Sequence, residues 1–318
     1  MKNNHWNIST LEKEGMNEKK VEEFIDNVEI ENIPIHSLVI IKGGNIVKDI
    51  SFNGHKSKEK HAIYSCSKSI TSLLVGKAIE QGLIKGVTQK VLDFFPEIII
   101  SEENALIENI TIENLLTMST GLEWNDNQNY DEMWDNDNSV EYFFSRNIKC
   151  SPGSKFTYCS GVAHILQFIL EKVTGEEVLS YSKRVLFDPL DITDVLWEKY
   201  DNGLLGSIEI SPLDFAKIGY MCMKNGVWKE KEIISKNWIE ISTAKHIDTP
   251  NSLEEVTNFG AGYGYLWWRN NFGGYHANGF GGQYMFVVPE SDLVVIFTGE
   301  VFGKDFFLPQ MAVEEFIL

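Results

Sequence analysis

The sequence feature that most constrains the fold is a run, residues 68–82, that is apolar around most of a helical circumference. Its apolar members are Ile70, Leu73, Leu74, Val75, Ala78 and Ile79. A helix that is apolar on more than one face must be covered on most sides by other elements. The run therefore predicts a buried central helix, and Gly82 suits its C-terminal end.

A serine and a lysine lie at the start of this predicted helix. Ser65 precedes Lys68 by three residues, and residues at this spacing share one helical face. A lysine on a buried helix can take a serine proton, because desolvation favours the neutral amine. The pattern predicts acyl transfer with Ser65 rather than Ser67 as nucleophile, because only Ser65 has lysine at i+3. The alternative is a chance match in which the serine only caps the helix.

Composition limits the partners that the chain can bind. The 318 residues are 43% hydrophobic, enough for one large domain or two closely packed ones. A formal net charge of −18 argues against nucleic acid and against an anionic membrane surface, so we expect neither partner. The four cysteines form no C-x-x-C pair. We therefore predict buried free thiols, no metal site and no cofactor.

The N-terminal residues show no targeting signal. Residues 1–7 lead into a charged stretch without an apolar segment, and no run in the sequence is long enough to cross a bilayer. We therefore predict a cytoplasmic location, or secretion if a leader has been removed. The oligomeric state stays open.

The distribution of helical and strand patterns predicts an α/β (α+β) fold. Residues 37–41 and 46–47 indicate a β-hairpin, and the last quarter of the chain carries strand-like runs separated by glycine-rich or Pro-Glu turns. We expect a mixed antiparallel sheet flanked by helices, built from residues 1–64 and 245–318. Residues 65–244 are expected to form a second, mainly helical lobe, with a small-molecule site in the cleft between the two.

Two further segments are candidates for the same cleft. Tyr158 lies on a turn before a second apolar helix, where a rigid hydroxyl could carry a proton to a leaving group. The glycine-rich segment after His276 could align a substrate and present a backbone N–H to an oxyanion. The structural alternatives are a tyrosine that fills the lobe boundary, a packed histidine and an ordinary glycine hairpin.

Two residues near these segments are substrate-binding candidates with structural alternatives of their own. Ser160 follows Tyr158 by two residues and could simply cap the second helix. Trp124 lies in a polar stretch, residues 123–138, that is predicted to be a loop. A long loop with large aromatic side chains could form one wall of the cleft or pack on the surface.

Three motifs follow one another in the chain: Ser65-x-x-Lys68, Tyr158-x-Ser160 and His276-Ala277-Asn278-Gly279. This order resembles the serine β-lactamase and penicillin-binding-protein family. Residues 115–122 (LLTMSTGL) are similar to the family's L-L-x-H-x-S-G-L segment, and residues 281–290 are similar to its penultimate strand and turn. Within the family, the chain looks like the class C β-lactamase-related branch, which includes esterases and 6-aminohexanoate-dimer hydrolases.

The resemblance implies a role for each motif. Ser65 is expected to be the acylated nucleophile and Lys68 its base. Tyr158 is expected to protonate the leaving group and later to activate the deacylating water. The backbone N–H groups of Ser65 and Phe280 form the oxyanion hole if residues 277–279 align with the family's K-T-G strand. The remaining substrate-binding candidates are Gly279, Ala277, His276, Ser160 and Trp124.

Two departures from the family pattern bear on the substrate. Ala277, or His276 if the alignment shifts by one residue, stands where the family has a lysine that meets a substrate carboxylate. Ser160 replaces the commoner asparagine. We therefore expect a serine hydrolase that acts on a small ester or linear amide. The alternatives are a β-lactamase or D-Ala-D-Ala carboxypeptidase acting on a β-lactam-like substrate, and a catalytically weak binding or sensor protein.

Overall fold

The computed structural model describes residues 6–56, 58–250 and 261–317. Its strands, in chain order, are β1 (Asn7–Ile8), β2 (Ile35–Lys42), β3 (Asn45–Ser51), β4 (His61–Ala62), β5 (Leu196–Lys199), β6 (Leu205–Ile210), β7 (Val227–Trp228), β8 (Lys231–Glu232), β9 (Trp268–Arg269), β10 (Tyr275–Gly279), β11 (Gln283–Val288) and β12 (Leu293–Gly299). Its α-helices are α1 (Glu18–Ile30), α2 (Cys66–Glu80), α3 (Ile112–Leu116), α4 (Asp126–Trp134), α5 (Ser139–Phe144), α6 (Gly161–Thr174), α7 (Val178–Ser182), α8 (Pro212–Met223), α9 (Lys236–Thr243) and α10 (Leu308–Ile317).

Strands from both ends of the chain form one large sheet in the order β1-β3-β2-β12-β11-β10-β9. All neighbouring strands in it are antiparallel except β1 and β3, which are parallel. The hairpin of β2 and β3 contains the segments that the sequence predicted. The predicted mixed antiparallel sheet flanked by helices is therefore confirmed. Two smaller sheets, β4-β6-β5 and β7-β8, lie outside it.

Helices cover both faces of the large sheet, which explains why its central strands are apolar on both sides. On one face, Phe24 of α1 packs edge-on against Phe297 of β12 and against Phe316 of α10. On the other face, α8 lies so close that a Cβ added at Gly219 would be 2.8 Å from Val294. A larger residue than glycine at this position would push α8 away from the sheet.

The central helix predicted from residues 68–82 is α2, and it is buried along most of its length. Trp238 of α9 packs over Gly76, where an added Cβ would be 2.3 Å from the indole. The indole nitrogen of Trp238 donates to the Ser72 carbonyl at 3.1 Å. Helix α6, also predicted, packs beside α2. These contacts fix the direction in which the start of α2 points.

Some elements differ from the prediction. The polar stretch of residues 123–138, predicted as a loop, contains helix α4. Asn125 caps that helix by accepting a hydrogen bond from the Asn127 backbone, so an Asn- and Asp-rich segment starts a helix here rather than replacing one. Helix α1 begins at Glu18, after Asn17 caps it by accepting a hydrogen bond from the Lys20 backbone.

The division into two lobes stays a prediction. Residues 65–244 are mainly helical, but they also supply β5 and β6, and their helix α8 packs on the large sheet. Within the described residues, no helix combines the length and the apolar character needed to span a bilayer.

Candidate active site

A cleft of about 1560 Å3 opens at the start of α2. Its helical wall comes from the starts of α2, α4 and α6, and its opposite side includes β5, β6 and the end of β10. The predicted residues that line it are Ser65, Lys68, Tyr158, Ser160 and Phe280. The cleft thus brings together residues from all three sequence motifs.

Ser65 and Lys68 are in direct contact in this cleft. Lys68 Nζ donates a hydrogen bond to Ser65 Oγ at 2.8 Å, and only 8% of Lys68 is exposed. The hydroxyl of Ser67 instead accepts a hydrogen bond from the Ile208 backbone N–H at 3.1 Å. Of the two serines, Ser65 is therefore the one whose hydroxyl meets the lysine amine.

The backbone before Ser65 is held in an uncommon conformation. Tyr64 has a φ of 45°, in the left-handed region that a bulky residue rarely adopts. Its N–H donates to the Ser207 hydroxyl at 2.6 Å, and the neighbouring Ile63 N–H donates to the Ile208 carbonyl at 2.9 Å. Both acceptors are on β6, so this strand holds the sharp turn that leads into the nucleophile position.

Tyr158 lies against the same lysine. Lys68 Nζ is 5.2 Å from the centroid of the Tyr158 ring. The other neighbour of the ring is Trp268 of β9, which stacks on it at 6.1 Å between centroids with an interplanar angle of 15°. The turn is fixed by a hydrogen bond from the Thr157 N–H to the Met118 carbonyl at 2.8 Å. The Tyr158 ring is thus held beside Lys68.

Asp126 is a cleft residue that the sequence analysis did not single out. Its carboxylate accepts a hydrogen bond from the Ser160 backbone at 2.6 Å and another from the Ser160 hydroxyl at 2.8 Å. It also accepts one from the Trp124 indole at 2.9 Å. Asp126 therefore ties the start of α6 to the start of α4.

These contacts correct the prediction for Trp124. The residue is only 9% exposed and lies behind the cleft wall, where it packs against Gly161 and binds Asp126. It is not among the described residues that line the cleft. Ser160 does line the cleft, and it occupies the N-cap position of α6, but its hydroxyl binds Asp126 rather than the helix.

The strand end contributes different residues from those predicted. Asn278 and Phe280 line the cleft, whereas Ala277 is 1% exposed and faces away from it. Gly279 passes close to the segment before the nucleophile, since a Cβ there would be 2.3 Å from the Ile63 carbonyl oxygen. Neighbouring residues of a strand point to opposite faces, so the face reached by Asn278 cannot include Ala277 or Gly279.

His276 shares the strand face of Asn278 but does not reach the cleft. It is fully buried, its Nδ1 is 2.5 Å from Asn270 Oδ1, and its ring stacks on Trp268 at 6.4 Å. Burial lowers the pKa of His276 to about 3, which keeps the ring neutral. The prediction of direct substrate contact by His276 is therefore corrected: Trp268 separates it from Tyr158.

The predicted oxyanion hole has two free donors. Within the described residues, neither the Ser65 nor the Phe280 backbone N–H donates to a backbone acceptor. The Phe280 side chain is 63% exposed and forms an aromatic rim with Tyr64 at 5.7 Å and Phe302 at 4.9 Å between centroids. Two N–H groups on different elements are thus available at the mouth of the cleft.

Two more lining residues come from α6 and α4. The His164 ring stacks on Tyr130 at 5.7 Å and its Nε2 lies 3.3 Å from the Tyr130 hydroxyl. Burial and the charge of Lys68 lower the pKa of His164 to about 3, and burial raises the pKa of Tyr130 to about 12. A signal existed in the sequence, because Ser160, His164 and Gln167 are polar positions one and two turns apart, and the rest of residues 161–170 is apolar.

Charge is distributed unevenly in the cleft. Lys68 is the only lysine or arginine among the described lining residues. The lining carboxylates are Asp126, Asp131, Glu198 and Glu209. A substrate carboxylate would therefore meet several negative charges and no second cation.

Comparisons with known proteins identify the family and the fold. A family model described as Beta-lactamase matches residues 18–207, more than half of the chain. The 6-aminohexanoate-dimer hydrolase of Paenarthrobacter ureafaciens is 23% identical over 288 residues, which cover 82% of this chain and 71% of that protein.

Solved structures share the fold. The octameric penicillin-binding protein homologue from Pyrococcus abyssi has a TM-score of 0.72 at 22% identity, covering 93% of this chain and 77% of that one. A family VIII carboxylesterase has a TM-score of 0.70 at 15% identity, covering 93% of this chain and 97% of that one. At these identities the likeness shows the fold alone.

Proposed function

Because the chain belongs to the beta-lactamase family, we propose that it is a serine hydrolase that works through a covalent acyl-enzyme on Ser65. The observation that carries this proposal is the 2.8 Å hydrogen bond between Lys68 Nζ and Ser65 Oγ inside the cleft. A lysine that is 8% exposed and touches a serine hydroxyl can serve as the base that makes the hydroxyl nucleophilic.

The proposed reaction has two halves. Ser65 Oγ attacks the substrate carbonyl as its proton moves to Lys68, which acts as the base, and the carbonyl oxygen is stabilised by the N–H groups of Ser65 and Phe280. Tyr158 passes a proton to the leaving alcohol or amine, so the C–O or C–N bond breaks and the acyl-enzyme remains. Water then attacks the ester, gives up a proton to the same groups, and releases Ser65 and the acid.

The charges of the cleft support a neutral or cationic substrate. Lys68 is the one lysine or arginine of the described lining, and Asn278 stands at the strand end, so the described residues supply no second cation to pair with a substrate carboxylate. The rim of Tyr64, Phe280 and Phe302 offers an apolar surface to an acyl or alkyl group. We therefore propose small esters or linear amides as substrates.

The relatives supply a second candidate. One relative is named a 6-aminohexanoate-dimer hydrolase and one structural neighbour a penicillin-binding protein homologue. The absence of a second cation in the described lining argues against β-lactams, most of which carry a carboxylate. Turnover of nitrocefin at a rate comparable to that of p-nitrophenyl esters would favour the β-lactamase alternative.

The test is the Ser65→Ala substitution. We expect hydrolysis of p-nitrophenyl esters to fall to background and labelling by a fluorophosphonate to disappear, because no other described serine meets the Lys68 amine. Far-UV circular dichroism should show a retained fold. Ser67→Ala is the matched control, and peptide mass spectrometry should find its label on Ser65.

Full activity of the Ser65→Ala variant would overturn the proposed mechanism. Covalent labelling of the unchanged protein without product release would instead support the alternative of a catalytically weak binding or sensor protein.

A further inference from the structure

A cluster of three histidines lies outside the catalytic residues. His36 is on β2, His55 is in the segment that follows β3, and His61 begins β4. One ring nitrogen from each residue lies within 4.8 Å of the other two. We propose that these three imidazoles form a binding site for a divalent transition metal of the zinc class.

The three rings are close enough to share one ion after the stacked pair, His36 and His55, rotates so that its in-plane nitrogens converge. His36 and His55 stack with centroids 3.6 Å apart and an interplanar angle of 19°, and His61 is 5.5 Å from both. Tetrahedral zinc with Zn–N bonds of about 2.0–2.1 Å requires ligand nitrogens about 3.3 Å apart. Side-chain rotations that shorten the present separations by about 1.5 Å at most bring the nitrogens to that spacing.

The surroundings of the cluster also favour a cation. Nε2 of His61 is buried and has no hydrogen-bond partner in the described part of the chain, a condition that a metal ion relieves. The carboxylates whose charge acts on the cluster are Glu300, facing His36, and Glu59, facing His61.

The site has a structural consequence for the nucleophile. His61 is paired through β4 with β6, the strand that also holds the turn before Ser65. His36 belongs to the large sheet. Two hydrogen bonds join His55 to this sheet: the Phe52 N–H donates to the His36 carbonyl, and the His55 N–H donates to the Phe52 carbonyl. A metal on the three rings therefore ties the large sheet to the segment that leads into Ser65. The sequence gives no hint of it, since the spacing of 36, 55 and 61 matches no ligand motif.

The experiment uses the full chain without a histidine tag, first stripped of metal by chelation. Titration with Co2+ should produce the intense visible bands of a four-coordinate site, and equilibrium dialysis with Zn2+ should give one ion per chain. His55→Ala and His61→Ala should each weaken the affinity for Zn2+ by more than about 100-fold. Loss of a residue that only hydrogen-bonds to a metal ligand typically weakens affinity by about 10–100-fold, so a larger effect indicates loss of a ligand. Zn2+ should raise the melting temperature of the unchanged protein but not of these variants.

Lys56→Ala is the matched control, because Lys56 neighbours His55 but carries no ligand atom, and it should keep the full Zn2+ affinity. Circular dichroism should show that His55→Ala and His61→Ala are folded, so that lost binding reports ligation. The proposal is overturned if the unchanged protein binds no stoichiometric Zn2+, if the histidine variants bind as tightly, or if Lys56→Ala loses binding as they do.

Discussion

The helical wall of the cleft was predicted from the sequence more accurately than the strand wall, which is the side formed by β5, β6 and the end of β10. On the helical wall, the spacing of Ser65 and Lys68 predicted a contact, and the two side chains meet at 2.8 Å. On the strand wall, His276, Ala277 and Gly279 were named as substrate-binding candidates, yet the residues that line the cleft there are Asn278 and Phe280.

The difference has a geometric cause. Contacts at i and i+3 follow from the helix itself, so a helix start carries its own site geometry. The face of a strand depends on its register with its neighbours, and a shift of one residue turns every side chain to the other face. The pairing of Ala277 with Met285 and of Asn278 with Tyr284 is a long-range property that no local pattern contains.

The substitution with the largest expected effect in this comparison is Tyr158→Phe, on the helical wall. It keeps the ring that packs on Trp268 and beside Lys68 and removes only the hydroxyl. We expect kcat for p-nitrophenyl ester hydrolysis to fall by about 10²–10⁴, the usual loss for a general acid–base.

Tyr130→Phe is the matched control for this prediction. Tyr130 also lines the cleft, but burial raises its pKa to about 12, so its phenol holds its proton. We expect a change of less than about tenfold, the cost of one neutral hydrogen bond. A larger loss in Tyr130→Phe than in Tyr158→Phe would move the proton-carrying role to Tyr130.

The fold was more predictable than the strand wall, because more of the fold follows from local sequence patterns than from long-range pairing. The burial of α2 follows from its composition, and the cap of α8 at Ser211 follows from a Ser-Pro start, and both are local properties. Strands β5 and β6 were not predicted, although β6 holds the turn before Ser65. The role of β6 depends on its pairing with β4, which lies more than 140 residues earlier in the chain.

Asp126 shows that long-range contacts also limited the prediction of the helical wall. The sequence analysis placed it in a polar loop, because Asp and Asn are typical of turns. Its importance comes from a contact with Ser160, 34 residues away. Local patterns here missed both the start of α4 and the partner that ties it to the start of α6.

The second prediction tests the register of the strand wall. Asn278→Lys should place a cation in the cleft and raise the ratio of kcat/KM for an anionic over a neutral ester by about 10–100-fold, because a hydrogen bond to a charged group contributes about 1.5–3 kcal/mol. Ala277→Lys, the matched variant, should instead lower the melting temperature, since that position is 1% exposed and would bury an unpaired charge. A stable Ala277→Lys protein with the specificity change would show that Ala277 faces the cleft.

The smallest expected effect concerns His276, behind the strand wall. Its pKa is about 3 in the folded protein, against about 6.5 when unfolded, so between these values the unfolded chain binds a proton that the folded chain does not. Stability therefore falls as the pH drops through this window, by on the order of 1 kcal/mol between pH 7.5 and pH 5.5. His276→Gln should remove that part of the loss, measured as the pH dependence of the free energy of unfolding in guanidinium chloride.

The control for this measurement is the same substitution at an exposed histidine, His246→Gln. Substitutions at two positions of the strand wall should have different effects. Asn278→Lys should alter specificity with little change in stability, whereas His276→Gln should alter the acid sensitivity of the fold. If His276→Gln changed kcat/KM as strongly as Asn278→Lys and left the pH dependence untouched, the buried ring would belong to the cleft after all. Its stacking on Trp268, which in turn stacks on Tyr158, predicts that it does not.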